Sequence, residues 1–289
     1  MFISVVMPAY KAEHTIAHSV QSALDQVHNN FELVISIDDQ VDYPKLLADS
    51  GINDPRLVFT DTGAVGTGSS NARNVGLNKA TGRYIAVLDA DDQFAPTKLG
   101  RVATALEQYP LVTTGLDVMD DVGQHLRYVG CGGNNRLLAA ADYKFTNISM
   151  DSMVAHDRER VPVQYDIDLP CLVDLGLMLD AFCYVEGSFH LAQPLHRYYK
   201  QRQSISIGPE ASQRYVRIKR LLLERLQSSH YPLFGGETAI QGLISFLEHS
   251  LAAEKLFDAQ CQMNPSLIFE DHLESRLKVL LGDQDSAQY

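Results

Sequence analysis

The sequence is poor in positive charge and has no apolar run long enough to cross a membrane. Its 289 residues include 24 Lys and Arg against 36 Asp and Glu, a formal net charge of −12. Nucleic acids and anionic membranes are bound by clusters of basic residues, so this balance disfavours nucleic acid as a partner. A spanning helix needs about 18 or more consecutive apolar residues. No such run occurs, so no transmembrane segment is predicted.

Cysteine is also scarce, and its spacing excludes two common cysteine motifs. The four cysteines are Cys131, Cys171, Cys183 and Cys261. None forms a C-x-x-C pair, which excludes a zinc ribbon and a thioredoxin-type motif. The N-terminal apolar run has no basic start and breaks at Pro8, so it predicts a strand rather than a signal peptide. We expect a cytoplasmic protein, with peripheral contact to a membrane left open.

Apolar runs alternate with amphipathic segments over the first 120 residues. The predicted strands are residues 2–7, 31–37, 56–60, 84–88 and 111–119, and the predicted helices are residues 12–27, 42–50, 69–80 and 96–108. Strands that alternate with helices are typical of a parallel, doubly wound sheet. The fold class is therefore predicted to be α/β with a mainly parallel sheet.

The remaining chain is less regular and ends in helical patterns. Residues 120–170 mix short strands and loops, residues 171–183 read as a buried helix, and residues 184–207 as loop and strand. Amphipathic helices are predicted at about residues 209–229, 237–258 and 265–281. We predict a main domain at residues 1–207 and a helical region at 208–289, which offers an acceptor site, a membrane-facing surface or a homo-oligomer contact.

Carboxylates follow two of the predicted strands. Asp38 and Asp39 end the second strand, and Asp89-Ala90-Asp91-Asp92 ends the fourth. Ligands of doubly wound sheets bind beyond the carboxyl ends of the strands. Three carboxylates in four residues repel each other unless a cation is present, and hard oxygen ligands suit Mg²⁺ or Mn²⁺. The alternative is a solvated acidic turn that caps the next helix.

A glycine-rich loop precedes the predicted helix at residues 69–80. Residues 63–68 hold three glycines, which let the backbone approach a ligand closely. The loop is neither a G-x-G-x-x-G fingerprint nor a P-loop. Arg73 on the following helix is interpreted either as a crevice residue or as half of a structural salt bridge.

Four segments, in this order, resemble the inverting glycosyltransferase family 2, which has the GT-A fold. They are residues 4–10 (SVVMPAY), 31–39 (FELVISIDD), 70–76 (SNARNVG) and 80–92 (ATGRYIAVLDADD). The resemblance implies transfer of a hexose-type sugar from a nucleoside diphosphate, with UDP favoured, to an acceptor hydroxyl. The acceptor is left open between a saccharide, a lipid-linked molecule and a small molecule.

The resemblance also implies a role for each matching residue. Contacts to the base and ribose are implied for Pro8, Tyr10, Asp38 and Asp39, and a contact to the base or pyrophosphate for Arg73. Metal binding, by Mn²⁺ or Mg²⁺, is implied for Asp91 directly and for Asp89 through water or beside the ribose. A contact to the transferred sugar is implied for Asp92. Gln40 departs from the family, which usually has glycine after the Asp pair.

The general base and the donor-covering loop are placed by the same resemblance. The family has an acidic residue about 80–90 residues after its metal motif, and Asp174 is the carboxylate of that stretch. Its rivals are Asp166, Asp168 and Asp180, and the alternative is a carboxylate favoured by a helix N-terminus. Residues 198–206 resemble the loop that folds over the donor. Lys200 and Arg202 there would neutralise the leaving diphosphate, unless this is only a basic surface loop.

Two other functions are weighed against this one. A nucleotidyltransferase needs an N-terminal glycine-rich loop with a basic residue, and residues 8–11 (PAYK) do not provide it. An inactive relative would bind a nucleotide sugar or a partner without turnover. No H-E-x-x-H or G-x-S-x-G segment occurs, which disfavours zincins and serine hydrolases. His190 and His196 are interpreted as core or surface residues.

Overall fold

The computed structural model describes residues 1–146, 151–200 and 209–261, together with 269, 272–273 and 276–277. The strands of these ranges are β1 (Ile3–Ala9), β2 (Phe31–Ile37), β3 (Leu57–Asp61), β4 (Tyr84–Val87), β5 (Gln93–Phe94), β6 (Leu111–Met119), β7 (His125–Val129), β8 (Arg136–Ala139), β9 (Val154–Asp157) and β10 (Gly187–Tyr199). The α-helices are α1 (Ile16–Leu24), α2 (Tyr43–Asp49), α3 (Ser69–Lys79), α4 (Lys98–Leu106), α5 (Val173–Ala181), α6 (Pro209–Gln227) and α7 (Gly236–Cys261). Short 3₁₀ helices cover Tyr143–Thr146 and Asp151–Met153.

All ten strands join one sheet whose principal order is β3-β2-β1-β4-β9-β6-β10-β5, with β7 beside β6 and β8 beside β10. The pairs β1–β2, β1–β4, β2–β3 and β6–β10 are parallel. Strand β9 runs antiparallel to both of its neighbours, β4 and β6. The predicted mainly parallel, doubly wound α/β sheet is therefore confirmed.

Each face of the sheet carries its own hydrophobic core. Side chains alternate between the faces along a strand, so Val5 and Met7 of β1 join one core and Val6 joins the other. The first core is covered by α1, α2 and α4. The second is covered by α3 and α5 and continues into α6 and α7. The C-terminal helices thus pack on the sheet through the same core as α5.

The predicted elements of residues 1–120 all form, with ends that differ by a few residues. The helical extension is confirmed in α6 and α7, while most of the third predicted helix (265–281) lies outside the described residues. The proposed boundary at 207/208 lies outside them too and stays a prediction. Within the described part of the chain, no helix combines the length and the apolarity that a membrane span requires. Cys131, Cys171 and Cys183 are free thiols.

Candidate active site

The ends of β1, β2 and β4 meet the start of α3 at one edge of the sheet. The start of β9 reaches the same edge, because β9 is antiparallel to β4 and pairs Ala86 with Ala155. Continuing that register brings Ser152 opposite Asp89, and the Asp89 amide donates to Ser152 Oγ at 3.3 Å. The crevice is therefore built from four strands, one of which, β9, begins 70 residues after the start of β4.

Arg73 lies on the first turns of α3 and is only 5% exposed. Its Nη2 donates to Asp89 Oδ1 at 2.6 Å and lies 3.1 Å from Asp151 Oδ2. The guanidinium also covers the ring of Tyr165, with 5.2 Å from Cζ to the ring centroid. Burial opposes the charge, but the two carboxylates raise the pKa of Arg73 above its usual value. The structure shows the salt bridge of the second interpretation, and the contact of Arg73 with a base or pyrophosphate stays a prediction.

Asp151 and Tyr165 were missed from the sequence, because they lie in the irregular stretch between residues 120 and 170. Asn74 holds Tyr165 in place: its side chain donates to the Tyr165 carbonyl and accepts from the Tyr165 amide, both at 2.8 Å. Burial raises the pKa of Asp151 to about 7, against the opposing influence of Arg73. The sequence offered one indication of this contact: Asn74, a polar residue in the same family segment as Arg73, needs a hydrogen-bond partner.

The three carboxylates after β4 have different environments. Asp89 pairs with Arg73, whereas Asp91 is exposed to solvent. Desolvation and the negative charges of Asp92 and Asp89 raise the pKa of Asp91 to about 7. Because the Asp91 side chain is exposed, we attribute the raised pKa mainly to repulsion by the carboxylates of Asp92 and Asp89. Asp91 is thus the member of the motif whose ionisation a cation would favour most directly.

A divalent metal fits this arrangement only together with a ligand. Among the described residues, no three or more His, Cys, Asp and Glu side chains converge on one point as a metal site. Mg²⁺ and similar ions are commonly held by one or two carboxylates plus substrate phosphates. Asp91 supplies an exposed carboxylate, and Asp89 has its second oxygen left after pairing with Arg73. The residues fit an ion bound jointly with a diphosphate.

Asp92 is fully buried and connects the motif to β10. Its Oδ2 shares a 2.9 Å hydrogen bond with His196 Nε2, and its Oδ1 accepts from the Tyr199 amide at 3.0 Å. Burial raises the pKa of Asp92 and lowers that of His196. Both carboxylate oxygens are used by β10. In this structure Asp92 supports the motif, and its contact with a sugar stays a prediction.

A buried lysine lies under the same motif. Lys98 is 1% exposed, donates to the Ser152 carbonyl, and lies 4.6 Å above the ring of Phe94. Burial lowers the pKa of Lys98 to about 7, although the charge of Asp92 opposes the shift. Lys98 and Arg73 therefore approach the carboxylates from the protein interior, and Asp91 faces solvent.

Asp38 fixes the glycine-rich loop. Its carboxylate accepts hydrogen bonds from the Thr67 amide, the Thr67 hydroxyl and the Gly68 amide, at 2.6–3.1 Å. The Thr62 hydroxyl adds a fourth at 2.8 Å. The residue is 2% exposed. Asp38 thus shapes the loop that leads into α3, and the base contact implied for it stays a prediction.

Tyr10, also implied for the nucleotide, lies against this loop, and Asp39 bonds to the neighbouring segments. Tyr10 is 43% exposed, and a Cβ added to Gly66 would lie 3.6 Å from its hydroxyl. Asp39 accepts from the Lys11 amide and, at 2.8 Å, from the Tyr43 hydroxyl. Gln40 adopts a φ of 61°, which explains why the family favours glycine there.

Pro8, at the carboxyl end of β1, is half-buried. It stands between the strand core and the exposed Tyr10, at the edge where the crevice begins.

The candidate base lies in the first turn of α5, beyond Asp151. Asp174 is 7% exposed and accepts from Lys144 Nζ at 3.1 Å. It is close enough to Asp151 to influence the pKa of that residue. Asp166 instead pairs with Arg225 of α6 at 2.7 Å, and the exposed Asp168 follows it. Asp174 is therefore the carboxylate of this stretch that adjoins Asp151, and its role as the base stays a prediction.

Asp180, the last rival, is in the final turn of α5 and senses the charges of Asp166, His230 and Arg225. Lys200 follows β10, and its amide donates to the Met119 carbonyl at 2.9 Å. Arg202 lies outside the described residues, so its role stays a prediction.

The sheet order, the acidic motif after β4 and the arginine of α3 define a nucleotide-sugar-binding fold of the GT-A class. The sequence model of the family described as Glycosyl transferase family 2 matches residues 4–154, just over half of the chain. The chain therefore belongs to glycosyltransferase family 2. This membership disfavours the nucleotidyltransferase alternative.

Curated relatives match part of the chain. An Escherichia coli protein, UDP-Glc:alpha-D-GlcNAc-diphosphoundecaprenol beta-1,3-glucosyltransferase WfgD, is 39% identical over 97 residues, 34% of this chain and 38% of that protein. The succinoglycan biosynthesis protein ExoO of Rhizobium meliloti is 35% identical over 130 residues, 43% of this chain and 36% of that protein. The chain spans less than two fifths of either relative.

Solved structures match nearly the whole chain at low identity. S. aureus TarS in complex with UDP-GlcNAc gives a TM-score of 0.70 at 13% identity, covering 96% of this chain and 79% of that one. Mannosyltransferase PcManGT from Pyrobaculum calidifontis, in complex with GDP-Man and Mn2+, gives 0.54 at 16% identity, covering 97% and 81%. At these identities the likeness establishes the fold alone.

Proposed function

We propose that this chain is a metal-dependent, inverting glycosyltransferase that moves a sugar from a UDP-sugar to an acceptor hydroxyl. The observation that carries the proposal is the grouping after β4. There the buried Arg73 holds Asp89, and the exposed Asp91 remains beside them. A cation on one side and an open carboxylate on the other suit a diphosphate bound with a divalent ion.

The choice of UDP rests on the named relatives. WfgD is named as using UDP-Glc, and TarS was solved with UDP-GlcNAc. PcManGT was solved with GDP-Man, so the fold alone does not select the base. A carboxylate such as Asp39 suits a base edge that donates an N–H, which uracil and guanine both do, so Asp39 does not choose between them.

In the proposed reaction, the acceptor oxygen attacks the anomeric carbon from the face opposite the diphosphate. The new carbon–oxygen bond forms as the bond to the diphosphate breaks, which inverts the anomeric centre. Asp174 takes the proton of the acceptor hydroxyl, and Arg73 and Lys200 supply positive charge near the departing diphosphate. A bound Mn²⁺ or Mg²⁺ would add further charge at that position.

The acceptor is proposed to be a lipid-linked saccharide handled at the cytoplasmic face of a membrane. WfgD and WfaP of Escherichia coli are both named as acting on a diphosphoundecaprenol-linked GlcNAc. The match covers 34% of this chain and 38% of each relative, so the acceptor is carried over by analogy. Peripheral membrane association would follow from such an acceptor.

The metal requirement is tested by calorimetry with UDP. We expect binding with Mn²⁺ to be at least about tenfold tighter than binding after EDTA treatment, since ion and diphosphate are bound together. Asp91→Ala should reproduce the EDTA result, whereas Asp142→Ala, at an exposed carboxylate outside the crevice, should not. Equal affinity with and without metal would remove the metal from the proposal.

The role of Asp174 is tested by single-turnover transfer. Asp174→Asn keeps the shape of the side chain and removes its basicity. Donor binding should survive, and turnover should fall by roughly 10²–10⁴-fold, the usual contribution of general acid–base catalysis. Near-normal transfer in Asp174→Asn, with loss in Asp168→Asn, would place the base before α5.

One observation favours the alternative of an inactive relative that only binds a nucleotide sugar. Asp174 is buried and paired with Lys144, and burial limits the access of an acceptor. Slow hydrolysis of the donor separates the two functions, because a transferase leaks sugar to water. Tight UDP-sugar binding without any hydrolysis or transfer would favour the alternative.

A further inference from the structure

A group of buried polar atoms lies behind the Arg73–Asp89 pair. Asp151 is 6% exposed and Tyr165 is 3% exposed. Asp151 uses only Oδ2 toward Arg73. Within the described part of the chain, Nε and Nη1 of Arg73 have no hydrogen-bond partner. Asp151 Oδ1 and the Tyr165 hydroxyl make no hydrogen bond of normal geometry, although the two side chains lie close enough to interact with each other. Burial raises the pKa of the Tyr165 hydroxyl, and the nearby negative charge of Asp151 raises it further.

Buried polar groups are nearly always hydrogen-bonded, so several unpaired ones in one place indicate a site that binds something polar. The position is informative. On one side Asp151 contacts Arg73, which also pairs with Asp89. On the other side the negative charge of Asp174 raises the pKa of Asp151. The group therefore lies between the metal motif and the candidate base. In the proposed reaction, the transferred sugar has to occupy that interval.

The supports of this group are rigid. Asp151 precedes β9, which is fixed between β4 and β6. Tyr165 is held on α3 by both hydrogen bonds of the Asn74 side chain. Groups held by strands and helices can keep the fixed geometry that recognition of a sugar requires.

We propose that Asp151 and Tyr165 form the subsite that recognises hydroxyls of the transferred sugar. This inference rests on the proposed donor-dependent function and names the part of the donor that the two residues contact. Above its pKa of about 7, the carboxylate of Asp151 only accepts, and a tyrosine hydroxyl both donates and accepts. Together they suit a pair of neighbouring sugar hydroxyls, one that donates to Asp151 and one that accepts from Tyr165.

A simpler role for Asp151 is to act only as a second counter-ion of Arg73. The two roles differ in which part of the donor is affected. Loss of a counter-ion would alter binding of UDP and of a UDP-sugar alike, because Arg73 is placed toward the nucleotide and diphosphate. Loss of a sugar contact would weaken the UDP-sugar and leave UDP nearly unchanged.

The test is calorimetry in Mn²⁺ with UDP and UDP-glucose as the two probes. Asp151→Asn and Tyr165→Phe should each weaken UDP-glucose by about tenfold or more, the effect of one hydrogen bond to a buried polar group. Binding of UDP should change by less than about threefold. Asp142→Asn, which removes an exposed carboxylate, should change neither.

Deoxy analogues of UDP-glucose identify the contact directly. One analogue lacks the hydroxyl that donates a hydrogen bond to Asp151. The unchanged protein should bind this analogue more weakly than it binds UDP-glucose. The Asp151→Asn variant should bind the analogue and UDP-glucose with equal affinity. This non-additivity is expected only if the two groups contact each other. Tyr165→Phe should give the same pattern with a neighbouring hydroxyl, and it tests the subsite even if Asp151→Asn fails to fold.

Two outcomes overturn the inference in distinguishable ways. Equal weakening of UDP and UDP-glucose in the variants, or additive losses with every deoxy analogue, would make Asp151 a counter-ion only. Failure of the unchanged protein to bind UDP or UDP-glucose in Mn²⁺ would overturn the proposed function, and the subsite with it.

Discussion

Replacing Arg73 with methionine is expected to destabilise the fold as well as to weaken nucleotide binding. The guanidinium is 5% exposed and lies within 3.1 Å of carboxylate oxygens of both Asp89 and Asp151. Methionine keeps much of the aliphatic stem but removes the charge. The two carboxylates then face each other in a buried environment without a cation between them.

The magnitude follows from the burial of the three groups. Removing one partner of a buried ion pair costs about 3–5 kcal/mol, because the remaining charge is uncompensated. The Asp89 side chain is 20% exposed and recovers part of its hydration, so we expect the lower end, about 3 kcal/mol. At about 2–4 °C per kcal/mol for a chain of this size, Tm should fall by about 6–12 °C.

The loss should depend on pH in a defined direction. Burial raises the pKa of Asp151 to about 7 while Arg73 is present, and removing that cation raises it further. The folded state then binds a proton that the unfolded chain, with an Asp pKa of about 3.9, releases. Stability from this proton is present at low pH and is lost as pH rises through the folded pKa. Arg73→Met should therefore be less destabilised at pH 5.5 than at pH 8.5.

Thermal unfolding followed by circular dichroism measures both effects. Arg73→Lys keeps a charge without the planar fork and should lose less than Arg73→Met. Lys45→Met is the control, since it breaks an ion pair to Asp49 in which both side chains are about two-thirds exposed. Such exposed pairs contribute about 0–1 kcal/mol. A Tm for Arg73→Met within about 2 °C of the unchanged chain at pH 8.5 would refute the reasoning.

Three further predictions concern the supports of the crevice. Asp38→Asn turns an acceptor toward backbone amides into a partial donor, so it should cost about 1–3 kcal/mol and speed proteolysis of the glycine-rich loop; unchanged proteolysis would contradict this. Gly76→Ala places a Cβ 2.5 Å from Val6 Cγ1 and should cost about 1–3 kcal/mol in urea unfolding, with a smaller loss than the sum when Val6→Ala is added; additive losses would be inconsistent with this contact. His196→Phe removes a partner of Asp92 and should weaken Mn²⁺-dependent UDP binding severalfold; full affinity would show that Asp92 needs no such support.

The sequence alone determined the architecture and the crevice residues that follow the parallel strands. Alternating apolar runs predicted the parallel strands because each short strand is buried and each helix shows its own period. The carboxyl ends of parallel strands share one edge, so Asp39 and Asp91 could be placed together without coordinates. The burial of Arg73, and hence its contribution to stability, was left open between two interpretations.

Only the tertiary structure decided which residues surround the carboxylates at those strand ends. Strand β9 has four residues and no periodicity of its own, and it takes its place from pairing with β4 and β6. That pairing brings Asp151 to Arg73, and β10 encloses Asp92. Such contacts join positions about 80 to 110 residues apart, and they depend on packing between elements rather than on any local pattern. Local periodicity encodes which face of a strand or helix is buried, but not which distant side chain lies opposite it.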